Sequence, residues 1–298
     1  MTRILEFAMQ YTIRSDQLEV TVKALGAEMV SIRGADGTDY LCPESRRNWY
    51  ASAPVLFPNT GAVKDQYALV EGKRYPFRQH GFARDSMFSP VSRGESEMAF
   101  ELRWSEETLQ IYPYRFVLRV SYRVEGDTLT VKGAVRNEDS RKLYASLGFH
   151  PGFSCPFSEE ESPEDCEIVF PQRMTASRII LKDALAAGKA EKFWDDLPSL
   201  PVKNGMFDGG SFSMTDLSSH CVRLVSKVSG KSVTLYFDDY PNLILWAPVG
   251  LPITNICMEP WYGMPDPADH DHRLETHPLT FQVEPGGEKE LAFRIVCR

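Results

Sequence analysis

The 298-residue sequence lacks the features that mark several common classes of protein. No apolar run is long enough to span a bilayer, so a membrane-spanning protein is excluded. Residues 1–20 begin with one basic residue, and the apolar stretch after it is broken by Glu6 and Gln10, which makes a poor secretory signal. We therefore expect a cytoplasmic protein without a membrane partner.

Surplus positive charge and paired cysteines are also missing. A formal net charge of −8 lacks the basic surplus that phosphate-backbone binding requires, so nucleic acid is not an expected partner. The six cysteines show no Cys-x-x-Cys spacing, which argues against a disulfide scaffold and against a zinc knuckle. We expect reduced, mostly buried thiols at Cys42, Cys155, Cys166, Cys221, Cys257 and Cys297.

Helical periodicity is scarce as well. Residues 182–193 are the only moderately helix-friendly stretch, and Gly188 weakens it. Apolar and polar side chains instead alternate at residues 18–24, 98–104 and 114–124, a period typical of half-buried strands. The dominant local structure is therefore predicted to be β-strand.

Turn residues between alternating segments predict two hairpins. Gly126 and Asp127 separate residues 114–124 from a strand that resumes at Leu129, and the run KVSGK separates Val222 from Val233. A last alternating segment, 291–297, is expected to anchor the C-terminus. Many strands, almost no helix and no linker or repeat predict one all-β domain over residues 1–298, an antiparallel sandwich or barrel.

Two charged segments have competing interpretations. The acidic run SEEESPED, 158–165, is most simply a solvated loop. The segment DPADHDHRLETH, 266–277, carries residue types that bind metals, but it lacks the fixed spacing of catalytic zinc sites, so we expect a surface loop there. Its metal-binding residue types are Asp266, Asp269, His270, Asp271, His272 and His277.

Three short segments depart from simple alternation and pair an ionisable side chain with Gly, Pro or an aromatic residue. They are QHGFARDSMF with His80 and Arg84, LGFHPGF with His150, and CMEPWYGMPD with Glu259. A histidine directly before Gly or Pro at a strand end is held where the chain turns, so its ring can project into a cleft. Any one of them alone is more often structural, but their coincidence favours a site.

These residue types suit sugar chemistry. A pyranose offers apolar C–H faces that stack on aromatic rings such as Trp261, and hydroxyls that pair with charged and polar side chains. Arg84 either positions the sugar or His80, or forms an ion pair with Asp85 or a neighbour. A sugar-binding site is therefore the functional hypothesis that the residues favour.

The sequence resembles the aldose 1-epimerase (galactose mutarotase) family, and most closely its bacterial mutarotase-like branch. The resemblance spans nearly the whole chain, through LGAEMVSI, APVLFPNTGAVKDQYALVEGKRYPFRQHGFARDS, EETLQIYPYRFVLRVSYRV, LGFHPGF and CMEPWYGMPDPADHD. It implies a β-sandwich of the supersandwich type, a cofactor-free active site in an open cleft, and interconversion of the α- and β-anomers of a sugar. By position, it implies Glu259 as the catalytic base, His150 as the general acid and His80 as a second active-site histidine.

The chemistry of these side chains agrees with that implication. Mutarotation removes a proton from the anomeric hydroxyl O1 and delivers one to the ring oxygen O5. Unperturbed Glu and His have pKa values of about 4.3 and 6.5, so a carboxylate base and an imidazolium acid can coexist in weakly acid to neutral water. An apolar, Trp-flanked site is expected to raise the pKa of Glu259.

Two departures from the family pattern leave the substrate open. Where many members carry Gly-Arg, this chain has Gly61 and Ala62, and a sugar-contacting aspartate has only Asp208 as its nearest counterpart. Two other functions stay open: a hexose-6-phosphate 1-epimerase, if basic residues such as Lys64, Arg74, Arg78 and Arg84 converge, and a non-catalytic carbohydrate-binding protein. We expect no cofactor or metal, and a monomer or weak homodimer.

Overall fold

The computed structural model describes residues 9–188 and 191–298, which are built mainly of antiparallel strands. The strands of the N-terminal half are β1 (Gln10–Arg14), β2 (Leu18–Lys23), β3 (Glu28–Gly34), β4 (Val55–Leu56), β5 (Tyr67–Val70), β6 (Lys73–Pro76), β7 (Ser89–Arg93), β8 (Glu97–Arg103), β9 (Phe116–Glu125), β10 (Thr128–Asn137), β11 (Leu143–Ala145), β12 (Leu147–Phe149) and β13 (Gly152–Ser154).

The strands of the C-terminal half follow the same antiparallel pairing. They are β14 (Cys166–Arg178), β15 (Leu181–Lys182), β16 (Leu185–Ala186), β17 (Glu191–Pro201), β18 (Phe212–Thr215), β19 (Cys221–Ser226), β20 (Ser232–Tyr236), β21 (Asn242–Trp246), β22 (Asn255–Tyr262), β23 (Phe281–Val283) and β24 (Glu288–Cys297).

Helix is minor within the described residues. One α-helix, α1, spans Glu106–Leu109 and is closed at its start by a capping box between Ser105 and Thr108. Four short 3-10 helices lie at Lys64–Gln66, Ala83–Asp85, Pro163–Asp165 and Leu274–Thr276. In the described part of the chain, no helix is long and apolar enough to cross a membrane.

One large sheet carries most of the strands. Its order is β4-β12-β22-β21-β18-β14-β19-β20-β24-β10-β9-β8-β7, with β13 beside β22 and β17 beside β14. Small sheets join β1-β2-β3, β11-β23, β15-β16 and β5-β6. The last long strand, β24, lies between β20 and β10. The predicted anchoring role of residues 291–297 is thereby confirmed.

The large sheet folds over and packs against itself. Phe149 of β12 lies 4.9 Å, between ring centroids, from Phe293 of β24, although many strands separate β12 from β24 along the sheet. At Gly133 of β10, an added Cβ would stand 2.6 Å from Leu147 of β12, so the two faces meet without room for another side chain. The resulting architecture is the antiparallel β-sandwich that the sequence predicted.

The alternating segments form strands as predicted. Residues 18–23 show the alternating burial of a half-buried strand, and β9 and β10 form a hairpin across Gly126 and Asp127. The pair β19 and β20 forms the second predicted hairpin. All six cysteines are buried and unpaired, as expected.

The moderately helix-friendly stretch at 182–193 contains no helix in its described part. Its described part, 182–188 and 191–193, contains strand and turn, and residues 189 and 190 lie outside the description. Asp183 and Ala184 have positive φ values of 52° and 66°, and they form the turn of the β15-β16 hairpin. Pairing with neighbouring strands outweighs the weak local helix preference.

Candidate active site

Glu259 lies on β22, inside the large sheet. It stands opposite Ile244 of β21, while β12 and β13 pair with the other edge of β22. The strand has neighbours on both sides, and the Glu259 side chain is only 1% exposed. An ionisable group at such depth needs a partner or a function.

His150 supplies the partner. It lies between β12 and β13, and because both of these strands pair with β22, the intervening turn places His150 beside Glu259. Its Nε2 is 3.2 Å from Oε1 of Glu259, and its backbone N–H donates to the carbonyl of Pro54 at 3.1 Å. Trp49 stacks on the imidazole at 4.8 Å between ring centroids, which fixes the plane of the ring.

His80 reaches the same place from a different loop. Its backbone has a positive φ of 66°, and its N–H donates to the carbonyl of Gly61. In return, the N–H of Gly61 donates to Nδ1 of His80 at 3.0 Å. An Nδ1 that accepts a hydrogen bond carries no proton, so the neutral ring holds its proton on Nε2 and presents a donor there.

The three side chains line one open pocket of about 190 Å³. Indole rings and small side chains form its walls. Gln79 stands next to His80 with its amide nitrogen 3.2 Å from Nε2, and a flip of this amide places its oxygen there to accept the Nε2 proton. The other lining residues are Gly61, Ala62, Leu181, Ala184, Ser211, Ser213, Ile244, Trp246, Trp261 and Pro265. Apolar faces and neutral polar groups are what a sugar ring requires.

Burial shifts the pKa of each ionisable group in the pocket toward its neutral form. Burial raises the pKa of Glu259 well above its ordinary value, and the nearby Trp261 indole N–H opposes this shift without a hydrogen bond of normal geometry. Burial, with the Arg84 charge assisting, lowers the pKa of His150 to about 3. Burial and the neighbouring His150 and Arg84 lower the pKa of His80. The pocket therefore favours uncharged Glu259, His150 and His80.

The predicted site residues divide into three groups. Glu259, His150, His80 and Trp261 meet in the pocket. Arg84 lies just outside its lining, where Nη1 donates to the hydroxyl of Tyr50 and Nε lies 3.7 Å from Asp85. Asp208 is exposed and apart from the lining, and its Oδ1 accepts from the backbone N–H of Gly250.

Sequence reasoning missed several residues of the site. Trp49 stacks on His150, Trp246 meets the same ring edge-on at 5.6 Å between centroids, and Ser211 and Ser213 line the far wall with their hydroxyls 2.9 Å apart. Ser211 follows the turn residues Gly209 and Gly210, but no signal in the sequence joins these positions to His150, because they come together only through the folding of the sheet.

The basic residues considered for a phosphate do not converge on the pocket. Lys64 Nζ donates to the carbonyl of His270, Arg74 stacks on the Tyr67 ring, and Arg78 pairs with Asp85. The described residues that line the pocket include no Lys or Arg. A phosphate group would meet no cation in this lining.

The metal-binding residue types of segment 266–277 do not gather as a compact ligand set. Across the described ranges, only His150, Cys257 and Glu259 form a group of three whose donor atoms all lie within 4.8 Å of one another. Burial raises the pKa of the Cys257 thiol and keeps it protonated, whereas metals bind the thiolate. The donor set therefore fits acid–base chemistry better than metal binding.

Segment 266–277 is not uniformly a surface loop. Asp269 and Asp271 are exposed as expected, whereas the side chains of Asp266, His270 and His277 are only 11%, 8% and 8% exposed. The segment thus has a solvated outer face and a buried inner face.

Comparison with known proteins agrees with this geometry. Residues 9–175 match the aldose 1-epimerase family model. The chain is 31% identical over 292 residues to the plasmid-encoded protein LacX of Lactococcus lactis subsp. lactis, covering 93% of this chain and 95% of LacX. The chain belongs to the aldose 1-epimerase family.

Solved structures share the whole fold. A galactose mutarotase related enzyme from Lactobacillus acidophilus has a TM-score of 0.90 at 27% identity, with 97% of each chain covered. A galactose mutarotase-like protein from Lactobacillus casei has a TM-score of 0.88 at 27% identity, covering 97% of this chain and all of that one. The likeness extends across the sandwich and is not confined to the pocket segments.

Proposed function

We propose that this chain is an aldose 1-epimerase that interconverts the α- and β-anomers of an unphosphorylated aldohexose. The observation that carries the proposal is the 3.2 Å contact between Nε2 of His150 and Oε1 of Glu259 in a pocket with two indole rings. An acid and a base beside one hemiacetal are the groups that ring opening needs. Membership of the family supports the same reaction class.

The reaction needs one proton on the His150–Glu259 pair. With the sugar bound, Glu259 is the carboxylate and His150 the imidazolium. This charged pair holds one proton, the same number as the uncharged pair that burial favours. Glu259 takes the proton of O1 while the C1–O5 bond breaks and His150 protonates O5. After rotation about C1–C2, O5 attacks the other face of the aldehyde, returns its proton to His150, and O1 regains the proton from Glu259.

The remaining site residues hold the sugar. His80, with its proton on Nε2, donates a hydrogen bond to a sugar oxygen, and Trp261 offers an apolar face to the ring. Arg84 acts beside the pocket through its charge on the two histidines. The position of Asp208 outside the lining gives its predicted sugar contact no support.

A neutral sugar is preferred over a sugar phosphate because the described lining of the pocket offers no cation. Aldohexoses such as glucose and galactose are therefore the first substrates to test, with glucose 6-phosphate as the comparison. We expect the free sugar to be turned over with the higher kcat/KM.

The deciding experiment is the rate of α-to-β interconversion, followed by polarimetry or NMR. Wild type is expected to accelerate it, while Glu259→Gln and His150→Asn each lose about a hundredfold or more of kcat. Glu28→Gln is the matched control, because Glu28 is also buried but hydrogen-bonds to the backbone of Ser52 and Ala53 outside the pocket. A wild type that binds sugar without accelerating anomerisation would make this a carbohydrate-binding protein.

A further inference from the structure

Asp266 ties together the segments that form one wall of the pocket. Its backbone N–H donates to the carbonyl of Ala62, and its Oδ2 accepts from the backbone N–H of Lys64, both at 3.0 Å. Its carbonyl accepts from the N–H of Ala186 in the β15-β16 hairpin at 2.9 Å. Two stretches that line the pocket, 61–62 and 181–184, are thus joined to one residue.

The residue before Asp266 extends this connection to His80. Pro265 packs so closely on Gly61 that an added Cβ on the glycine would lie 2.6 Å from the proline ring. Gly61 is the residue whose N–H donates to Nδ1 of His80 and whose carbonyl accepts from the N–H of His80. The path from Asp266 to the His80 ring is therefore continuous: Asp266 and Pro265, then Gly61, then His80.

Two buried imidazoles flank the Asp266 carboxylate, His277 in close contact and His270 beyond hydrogen-bond distance. His277 Nε2 lies 3.2 Å from Oδ1, and His270 Nδ1 lies 3.7 Å from Oδ2. Lys64, whose backbone N–H donates to Asp266, also contacts the histidine segment, because its Nζ donates to the carbonyl of His270 at 2.8 Å. The cavity beside these side chains is only about 20 Å³, room for about one water, so the rings have little space to turn away.

We infer that Asp266, with His277 against its carboxylate and His270 nearby, is a positioning residue that fixes the pocket wall and thereby the orientation and tautomer of His80. Only the effect of Asp266 on the anomerisation rate rests on the proposed function. The state of the His80 ring is a property of the protein alone and is measured without substrate.

The charge and the hydrogen-bonding capacity of Asp266 make different contributions, and two substitutions separate them. Asp266→Ala removes the acceptor for Lys64 N–H and the partner of both imidazoles. Asp266→Asn keeps an oxygen for Lys64 and an amide opposite His277, so it is expected to retain the wall. Rescue by the amide distinguishes a specific hydrogen-bonding role from a general loss of packing.

The experiment is ¹⁵N NMR of the histidine rings in the intact protein, with anomerisation kinetics beside it. In wild type, His80 is expected in a single tautomer with the proton on Nε2. Asp266→Ala is expected to mix the two tautomers and to lower kcat by about tenfold or more, since small misplacements at a site are costly. Asp266→Asn is expected to stay close to wild type in both measurements.

Asn137→Ala is the matched control. Asn137 is fully buried and, like Asp266, holds other backbone segments, through the carbonyls of Arg141 and Val283. It is expected to lower the free energy of unfolding without changing the His80 ring or kcat. If Asp266→Ala fails to fold, His277→Ala replaces it, with the same direction of change expected.

Three results would overturn the inference. The first is that His80 stays in one tautomer in Asp266→Ala or, where that variant does not fold, in His277→Ala. The second is that Asn137→Ala disturbs His80 equally. The third is that purified wild type holds one equivalent of a divalent metal whose removal by a chelator reproduces the effect of Asp266→Ala. If wild type shows no anomerisation but the His80 signal still depends on Asp266, the proposed function fails while the positioning role stands.

Discussion

The ionisation of Glu259 and His150 is controlled by depth, since neither side chain lies near a formal countercharge strong enough to reverse the effect of burial. A carboxyl group buried beside an imidazole keeps its proton, and the imidazole stays neutral. The pair therefore holds one proton over a wide range of pH. A base and an acid are available together only while that single proton is present.

The pH dependence of kcat/KM should follow from this shared proton. Above the raised pKa of Glu259 the pair loses its proton and no acid remains, so the rate should fall about tenfold per pH unit on the alkaline side. Below the lowered pKa of His150, about 3, both groups are protonated and no base remains. The profile should therefore be flat between these two limits. A fall as pH drops through about 6.5, the ordinary pKa of His, would contradict it.

The same burial predicts a pH-dependent cost in stability. The pKa of Glu259 is higher in the folded than in the unfolded chain, so its contribution to stability is present below about pH 4.3 and is lost as pH rises toward the folded value. Glu259→Gln should therefore gain stability relative to wild type as pH rises, by about 1.4 kcal/mol per pH unit within that window. Urea unfolding at weakly acid and alkaline pH measures it, and a constant difference between the two proteins would refute it.

At the scale of elements, the wall segment at Gly61 combines two demands on the backbone. Its φ is +73°, and Pro265 leaves no room for a side chain. Gly72, in the β5-β6 turn, has a similar φ of +76° but nothing within 4 Å of an added Cβ. Substitutions at the two glycines therefore separate the free-energy cost of a side chain at positive φ from the free-energy cost of its contact with Pro265.

Alanine at each position provides the test. Gly72→Ala should lose about 1 kcal/mol of unfolding free energy, the cost of positive φ alone, with kcat/KM unchanged. Gly61→Ala should lose about 2–4 kcal/mol and should also lower kcat/KM, because Pro265 and the loop that holds His80 must move. Denaturant unfolding and anomerisation rates give both values. Equal losses of unfolding free energy in the two variants would mean that the pocket wall accommodates the added methyl group at residue 61 without cost.

At the scale of the whole molecule, the core is shared by distant parts of the chain. A single cluster of buried side chains includes Ile13 near one end of the described residues and Cys297 near the other. β24 completes the middle of the large sheet by pairing with β10 and β20. Such an arrangement makes the packing of each of these strands depend on distant parts of the described chain.

We therefore predict that the chain unfolds in one cooperative transition, which is also the test of the single domain expected over residues 1–298. Near-UV circular dichroism, which reports aromatic packing, and far-UV circular dichroism, which reports strands, should give coincident curves in urea. Separate midpoints would show two independent units. Size-exclusion chromatography on the same samples tests the expected monomer or weak homodimer.

The sequence by itself determined the strands with clear alternation, the hairpins at Gly126 and at residues 227–231, and the residue types of the candidate active site. These are local properties, since the polarity of each side chain decides which face of a strand it takes. The weak helix preference at 182–193 produced no helix in the described residues, because strand pairing decided the local structure there.

Only the tertiary structure decided which distant residues meet. Ser211 and Trp246 line the pocket, Trp49 stacks on His150 beside it, and Asp208 stays outside it, because of how the large sheet folds over, which no local pattern records. The burial that raises the pKa of Glu259 also arises from this closure. The charged segment 266–277 acquired a buried inner face in the same way, since a side chain's surroundings depend on chain segments hundreds of residues away.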